Sequence, residues 1–244
     1  MMHGFGDESI DSEIVAYAAA VFSADRTADA EAILANAKKT VGLSPEVPLH
    51  CRELFSGDAR KRTPWANIKA SDIYAMVEDV CQKLKGIQHQ PVVSVIESRR
   101  VPAQPVAPDL PNRPLVGKGV ATMAYQAVAT ALILRFGESG IRLWIDPDTT
   151  KIPWGKERKQ VNTTRSFYLD LKPGNEPSQL NPEIDDSPKP RLLEVADIYA
   201  YVARRAFSKA GGWQFQWCHD LYGVIQPQEC NFQFNPNPQW IKAS

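Results

Sequence analysis

Short apolar runs alternate along this chain with segments whose apolar residues fall at helical spacing. Residues 2–7 read as a strand that runs into the acidic pair Asp7 and Glu8 within HGFGDES. After a tight turn, residues 13–23 (EIVAYAAAVFS) read as a second strand. Their alanines leave helix as a competitor, and Val, Tyr and Phe favour the strand. Residues 27–41 have the Ala, Glu and Lys content of a helix, with Gly42 as its stop. Residues 47–55 (VPLHCRELF) are short and mixed. Residues 71–85 place Ile73, Met76, Val77, Val80 and Leu84 on one helical face, with Ser71 and Asp72 as candidate caps. PVVSVI, residues 91–96, has no polar face and reads as a buried strand.

A proline-rich connection over residues 101–114 precedes a long apolar helix, 119–136, which Gly137 and Gly140 stop. IRLWI, 141–145, is a further strand and runs into Asp146, with Asp148 two residues on. Residues 149–181 are polar around a strand near 166–171. Residues 181–185 suit a short edge strand, and 192–207 a helix. From Gly211 onward Trp, Phe, Gln, Asn and Pro follow no clear period. Strands alternating with helices predict an α/β domain with a mixed sheet over residues 1–210. Residues 211–244 are expected as an irregular, aromatic-rich extension packed on the same domain.

Composition narrows the function classes. With 244 residues, 43% hydrophobic and 23% charged, the chain is long enough for a substantial core. Lys+Arg and Asp+Glu balance at 28 each, so an electrostatic partner has to be met by a local patch. The four cysteines form no CxxC pair, so neither a zinc ribbon nor a thioredoxin motif is suggested. The N-terminus lacks a signal-peptide core and no apolar stretch is long enough for a bilayer, so a cytoplasmic protein with reduced thiols and no membrane partner is expected.

Three acids invite attention together. Asp7 follows GFG and Asp146 follows LWI. Asp197 sits inside the apolar helix LLEVADIYAYVA, where Asp is a poor interior residue. If the two strands are parallel neighbours, their tips lie about 5 Å apart, and a helix across that end brings Asp197 to them. Carboxylates gathered this way repel one another unless a cation neutralises them. Oxygen-only donors suit Mg²⁺ or Mn²⁺, and two such ions can activate a water and stabilise the leaving oxygen in phosphodiester cleavage. Each acid also has an ordinary reading: a solvated turn for Asp7 and Glu8, a turn or cap for Asp146, and for Asp197 a bond to Arg204 or to a nearby backbone group.

FGDES, PLHCREL, LWID and SPKPRLLEVADIYAYVARR, in this order over residues 2–205, resemble the pattern of the DUF3800 family, whose members are considered similar to the ribonuclease H fold. Family members commonly read DESG where this chain has Ile10 after DES. The resemblance implies a ribonuclease H-like mixed sheet flanked by helices, with insertions, and a metal-dependent nuclease-like site acting on nucleic acid. In that layout Asp7 bridges the metals, Asp146 ends a later strand and Asp197 is the acid of the final helix. Glu53 is the middle glutamate, with His50 beside it as proton shuttle or substrate contact. Glu8 and Asp148 are of second rank. That fold opens with three consecutive antiparallel strands, whereas a helix here follows the second. The third strand is therefore residues 47–51 after an insertion, or the topology differs.

Other features stay open between function and surface. Arg60-Lys61-Arg62, Arg99-Arg100 and Lys156-Glu157-Arg158-Lys159 suit phosphate contacts or solvated loops. Trp144, Trp154, Trp213 and Trp217 suit base stacking or core packing. Cys218-His219-Asp220 is a poor triad because adjacent residues do not converge, and Gly117-Lys118-Gly119 is a weak phosphate nest. The expected activity is divalent-metal-dependent phosphodiester hydrolysis. The alternatives are a non-catalytic binding or scaffold module on the same fold and a hydrolase of another phosphate ester.

Overall fold

The computed structural model describes residues 1–98, 118–146, 165–175, 182–208 and 211–230. The chain opens with β1 (Met2–Ile10) and β2 (Ile14–Ser23), followed by α1 (Thr27–Thr40), α2 (Cys51–Leu54), α3 (Gly57–Arg60) and α4 (Ala70–Gly86). Then come β3 (Gln90–Glu97), α5 (Lys118–Phe136), β4 (Ile141–Ile145), β5 (Arg165–Leu171) and β6 (Glu183–Pro188). The last elements are α6 (Leu193–Ala206), α7 (Trp213–Ile225) and the two-residue β7 (Gln228–Glu229). The strands form an open mixed sheet in the order β6-β5-β4-β1-β2-β3-β7. β1 pairs parallel with β4, and β3 with β7; the other neighbours are antiparallel.

The central position of β2 explains its composition. Ala16, Ala18, Ala20 and Phe22 pack into a core with α1, α4, α6 and α7, while Val15, Tyr17, Ala19 and Val21 pack on the other side with α5. Covered on both faces, the strand has no polar alternation. Its alanines are small enough for α6 to lie close to the sheet. The β1–β2 turn is fixed by Asp11, whose Oδ1 accepts the Glu13 and Ile14 N–H groups at 2.9 and 2.7 Å. Helix α6 is buried nearly all round, the pattern of a helix between a sheet and further helices. Its Tyr199 satisfies its hydroxyl on His89 Nε2 at 2.6 Å, while His89 Nδ1 bonds the Leu84 carbonyl oxygen at 2.8 Å.

Four expectations need correction. Residues 47–51 are not a strand: they run as an irregular segment into α2, and the third antiparallel strand is β3, after the whole α1–α4 insertion. The chain after Gly211 is not irregular throughout, since α7 packs on α6 and α4 and β7 extends the sheet beside β3. Helix α4 starts one residue before Ser71, with Lys69 as N-cap, and the Ser71 hydroxyl donates to Asp72 at 3.2 Å. The edge strand near 181–185 is β6, displaced to 183–188. No helix among the described residues is long and apolar enough to cross a membrane. Cys51, Cys81, Cys218 and Cys230 are free thiols, the first three buried.

Candidate functional site

The parallel pairing of β1 with β4 runs from Met2 and Ile141 to Gly6 and Ile145. One step further, Asp7 and Asp146 follow on neighbouring strands. The acids therefore end the pairing of β1 with β4, not β1 itself, which continues along β2 to Ile10. They lie on the sheet face that carries Phe5 and Trp144, whose rings stack at 5.3 Å. Helix α6 crosses the same face and supplies Asp197. Asp7, Asp146 and Asp197 line one cavity of about 370 Å³, together with His50, Lys189 and Glu194. Glu8 is paired with Tyr17 and shares its face, on the α5 side of the sheet.

Enclosure and proximity set the electrostatics. Burial, then the neighbouring charges of Asp197, Glu8 and Asp146, push the Asp7 carboxyl well above the usual carboxylate range, against one N–H bond from Glu8 at 2.8 Å. Burial raises Asp197 to about 7, aided by Asp146, Glu194 and Glu8 and opposed by the Cys51 N–H, which donates to its Oδ2 at 2.8 Å. The partner of Asp197 is thus a backbone group. Arg204 instead donates to Ser9 Oγ at 2.8 Å and pairs with Asp11. Asp146 forms an ion pair with the Lys189 ammonium. Lys189 stands between Pro188 and Pro190 in the segment joining β6 to α6.

A second layer fixes the wall that carries His50. The fully buried Lys38 of α1 donates to the carbonyl oxygens of Pro45 and Val47 at 3.2 and 2.7 Å, and its ammonium lies 2.6 Å from Glu194. Glu194 also accepts the Leu49 N–H. Glu194 and Asp197 are three residues apart on one face of α6. Together they hold the backbone of residues 49–51 against the helix. His50 is left at the rim, half-exposed, with Nδ1 3.9 Å from Asp197 Oδ2. Glu53 does not line the cavity: it is half-buried in α2, which turns it aside.

Gly6, beside Asp7, has a steric reason to be glycine. A Cβ there would collide with the Tyr17 hydroxyl and stand 3.1 Å from two of its ring carbons. Tyr17 is fully buried and packs edge-on against Tyr125 at 5.5 Å, so it has little room to withdraw. Gly6→Ala is expected to cost about 2–3 kcal/mol, the usual scale of overpacking. Urea denaturation checks this; an unchanged midpoint would show that Tyr17 yields freely.

The remaining sequence candidates lie elsewhere. Arg60 donates to the Leu54 carbonyl at 3.3 Å and Lys61 pairs with Asp58 at 3.0 Å, away from the cavity. Trp144 packs on Phe5 and His3, Trp213 is exposed and Trp217 donates to Glu78. Cys218 is buried while His219 and Asp220 are exposed, so no triad forms. Asp148, Trp154, Gly117, Arg99-Arg100, Lys156–Lys159 and residues 101–114 lie outside the described residues. No catalytic or metal-ligand motif in the sequence marks Lys38, Lys189 or Glu194. The spacing of Glu194 from Asp197 was a usable signal for one of them.

As placed, no three His, Cys, Asp or Glu among the described residues converge tightly enough to hold a metal ion. The three acids nevertheless offer oxygen donors of the kind a hard divalent cation takes, and the charges of Asp146 and Asp197 both act on Asp7. Comparison of the chain with protein-family models, with curated proteins and with solved structures returned no match.

Proposed function

We propose that the chain is a divalent-metal-dependent nuclease on a ribonuclease H-like fold of the DUF3800 type, with Asp7, Asp146 and Asp197 as ligands for Mg²⁺ or Mn²⁺. One observation carries the reading: three carboxylates, from β1, β4 and α6, line one cavity, and Asp7 feels the charge of both others. The sheet supports it, since β1, β2 and β3 are consecutive antiparallel strands, the opening that the resemblance implies. Divalent ions held there supply an activated water and charge for the leaving oxygen of a phosphodiester. The protein's own part is positioning. Gly6 and Ile145 set the strand tips in register, and the Cys51 N–H orients Asp197. Glu194 and Lys38 hold His50 at the rim, where it can contact substrate or carry a proton.

A non-catalytic binding module is favoured by one observation, the engagement of Asp146 by Lys189 and of Asp197 by the Cys51 N–H. Incubation with Mn²⁺ and a panel of single- and double-stranded DNA, RNA and nucleotides separates the readings. The nuclease reading expects cleavage of a polymer by the wild type and at least about a 100-fold loss in Asp146→Asn, the scale of a missing electrostatic element. Turnover of nucleotides alone indicates another phosphate-ester hydrolase. No turnover, with no thermal shift on adding Mn²⁺, leaves the binding module.

A further inference from the structure

We propose that Lys189 is the phosphate-contacting residue of this cavity, held by Asp146 until a divalent cation claims that carboxylate; this rests on the nuclease reading above. Lys189 and Arg191 both line the cavity from the strap between β6 and α6. Each is paired with an acid, Lys189 with Asp146 and Arg191 with Glu46. The two pairs differ in what a metal does to them. Glu46 is largely exposed, at 75%, and is not one of the three proposed ligands, so Arg191 keeps its partner. Asp146 is one of the three: it lines the cavity with Asp7 and Asp197, and its charge acts on both.

An ammonium and a divalent cation compete for the same carboxylate oxygens, and the higher charge at a multi-carboxylate site prevails. Lys189 then loses its counter-ion without leaving the cavity, because Pro188 and Pro190 restrict the backbone on either side of it. The Lys189 side chain is 28% exposed against 12% for Asp146, so the lysine is the more accessible member of the pair. A cation stripped of its partner at the mouth of a metal-carboxylate site is suited to a phosphate oxygen, which Lys contacts as a point charge. Metal loading would therefore switch on one additional phosphate contact.

The salt dependence of binding counts such contacts. Single-strand affinity falls with log salt at a slope of about −0.7 per neutralised phosphate. A fluorescent single-stranded DNA and its RNA counterpart are titrated with the full-length protein by anisotropy, across a salt series, with Ca²⁺ or with EDTA. Ca²⁺ is the probe because it loads oxygen sites, and recovery of intact oligonucleotide is checked on a gel. The wild type is expected to gain about 0.7 in slope with Ca²⁺. Lys189→Met should lose that increment, Lys189→Arg should restore it, and Arg191→Met should keep it. Lys189→Met having the wild-type slope in both conditions, with its thermal transition intact, would overturn the proposal and leave the nuclease reading standing on its cleavage assay. If the wild type neither binds nor cleaves either polymer, the underlying reading falls and this proposal with it.

Discussion

Lys38→Met is expected to destabilise the protein by about 3–5 kcal/mol, the scale of removing one partner from a buried ion pair. The substitution keeps the volume and apolar stem of the side chain but removes its three donors. Glu194 is then left enclosed without its cation, and the carbonyl oxygens of Pro45 and Val47 lose their donor. In a chain of this size, 1 kcal/mol corresponds to about 2–4 °C, so the thermal midpoint should fall by roughly 10 °C or more. The second variant Lys38→Met/Glu194→Gln isolates the cause. If the stranded carboxylate dominates, the double variant recovers much of the loss; if the carbonyl groups dominate, it does not. A single-variant cost below about 1 kcal/mol would mean that the pair contributes no more than an exposed surface salt bridge. Hydrogen exchange in residues 45–51 should also accelerate, because both tethers of that segment converge on α6 through Glu194 and Asp197.

Asp7→Asn is expected to raise the stability of the metal-free protein at pH 8 while abolishing its response to Mn²⁺. The folded protein holds the carboxyls of Asp7 and Asp197 above their unfolded value of about 3.9. The sign follows from linkage. Stability associated with these two groups is fully present below about pH 4 and is lost as pH rises through the folded value, about 7 for Asp197. Without divalent ions, the wild type should therefore weaken between pH 4 and pH 8 relative to a chain lacking the cluster. Removing the Asp7 charge relieves part of that, on the order of 1–2 kcal/mol, and flattens the pH profile. Mn²⁺ at 100 times its dissociation constant would add about 2.7 kcal/mol to the wild type. Asp7→Asn should show little of this gain. Thermal scans at pH 5 and pH 8, with EDTA and with Mn²⁺, test both statements. A wild type indifferent to Mn²⁺ and an Asp7→Asn variant less stable at pH 8 would together show that the three acids do not act as a cluster.

The elements nearest the cavity were legible because their signals are local. LWID gives a β-branched and aromatic strand running into an acid, and an Asp within LLEVADIYAYVA marks a polar group that an apolar helix must accommodate. The alanine run of β2 was readable as strand because Val15, Tyr17, Val21 and Phe22 interrupt it. Helix α7 is hard to read from sequence although Cys218, Leu221 and Ile225 carry a helical period. Trp213, Phe215 and Tyr222 spread apolar surface around the same turns and blur it. The segment before α2 was illegible for another reason: its path is set by Lys38 and by two acids of α6, about 150 residues later. Glu53 rests on the layout that the resemblance implies and on no local signal of its own. In the folded chain, it is the Cys51 backbone N–H, not the Glu53 side chain, that reaches Asp197.

The alanine face of β2 has a consequence for how the protein is made. Its cover, α6, is translated some 180 residues after β2 ends, a delay of roughly 10–40 s at 5–20 residues per second. Throughout that interval the part of the alanine face that α6 covers in the folded protein is without its native cover. Helices α1 and α4 supply the first part of that cover, the helix bearing Asp197 then brings the last acid to the cavity, and α7 closes the core behind it.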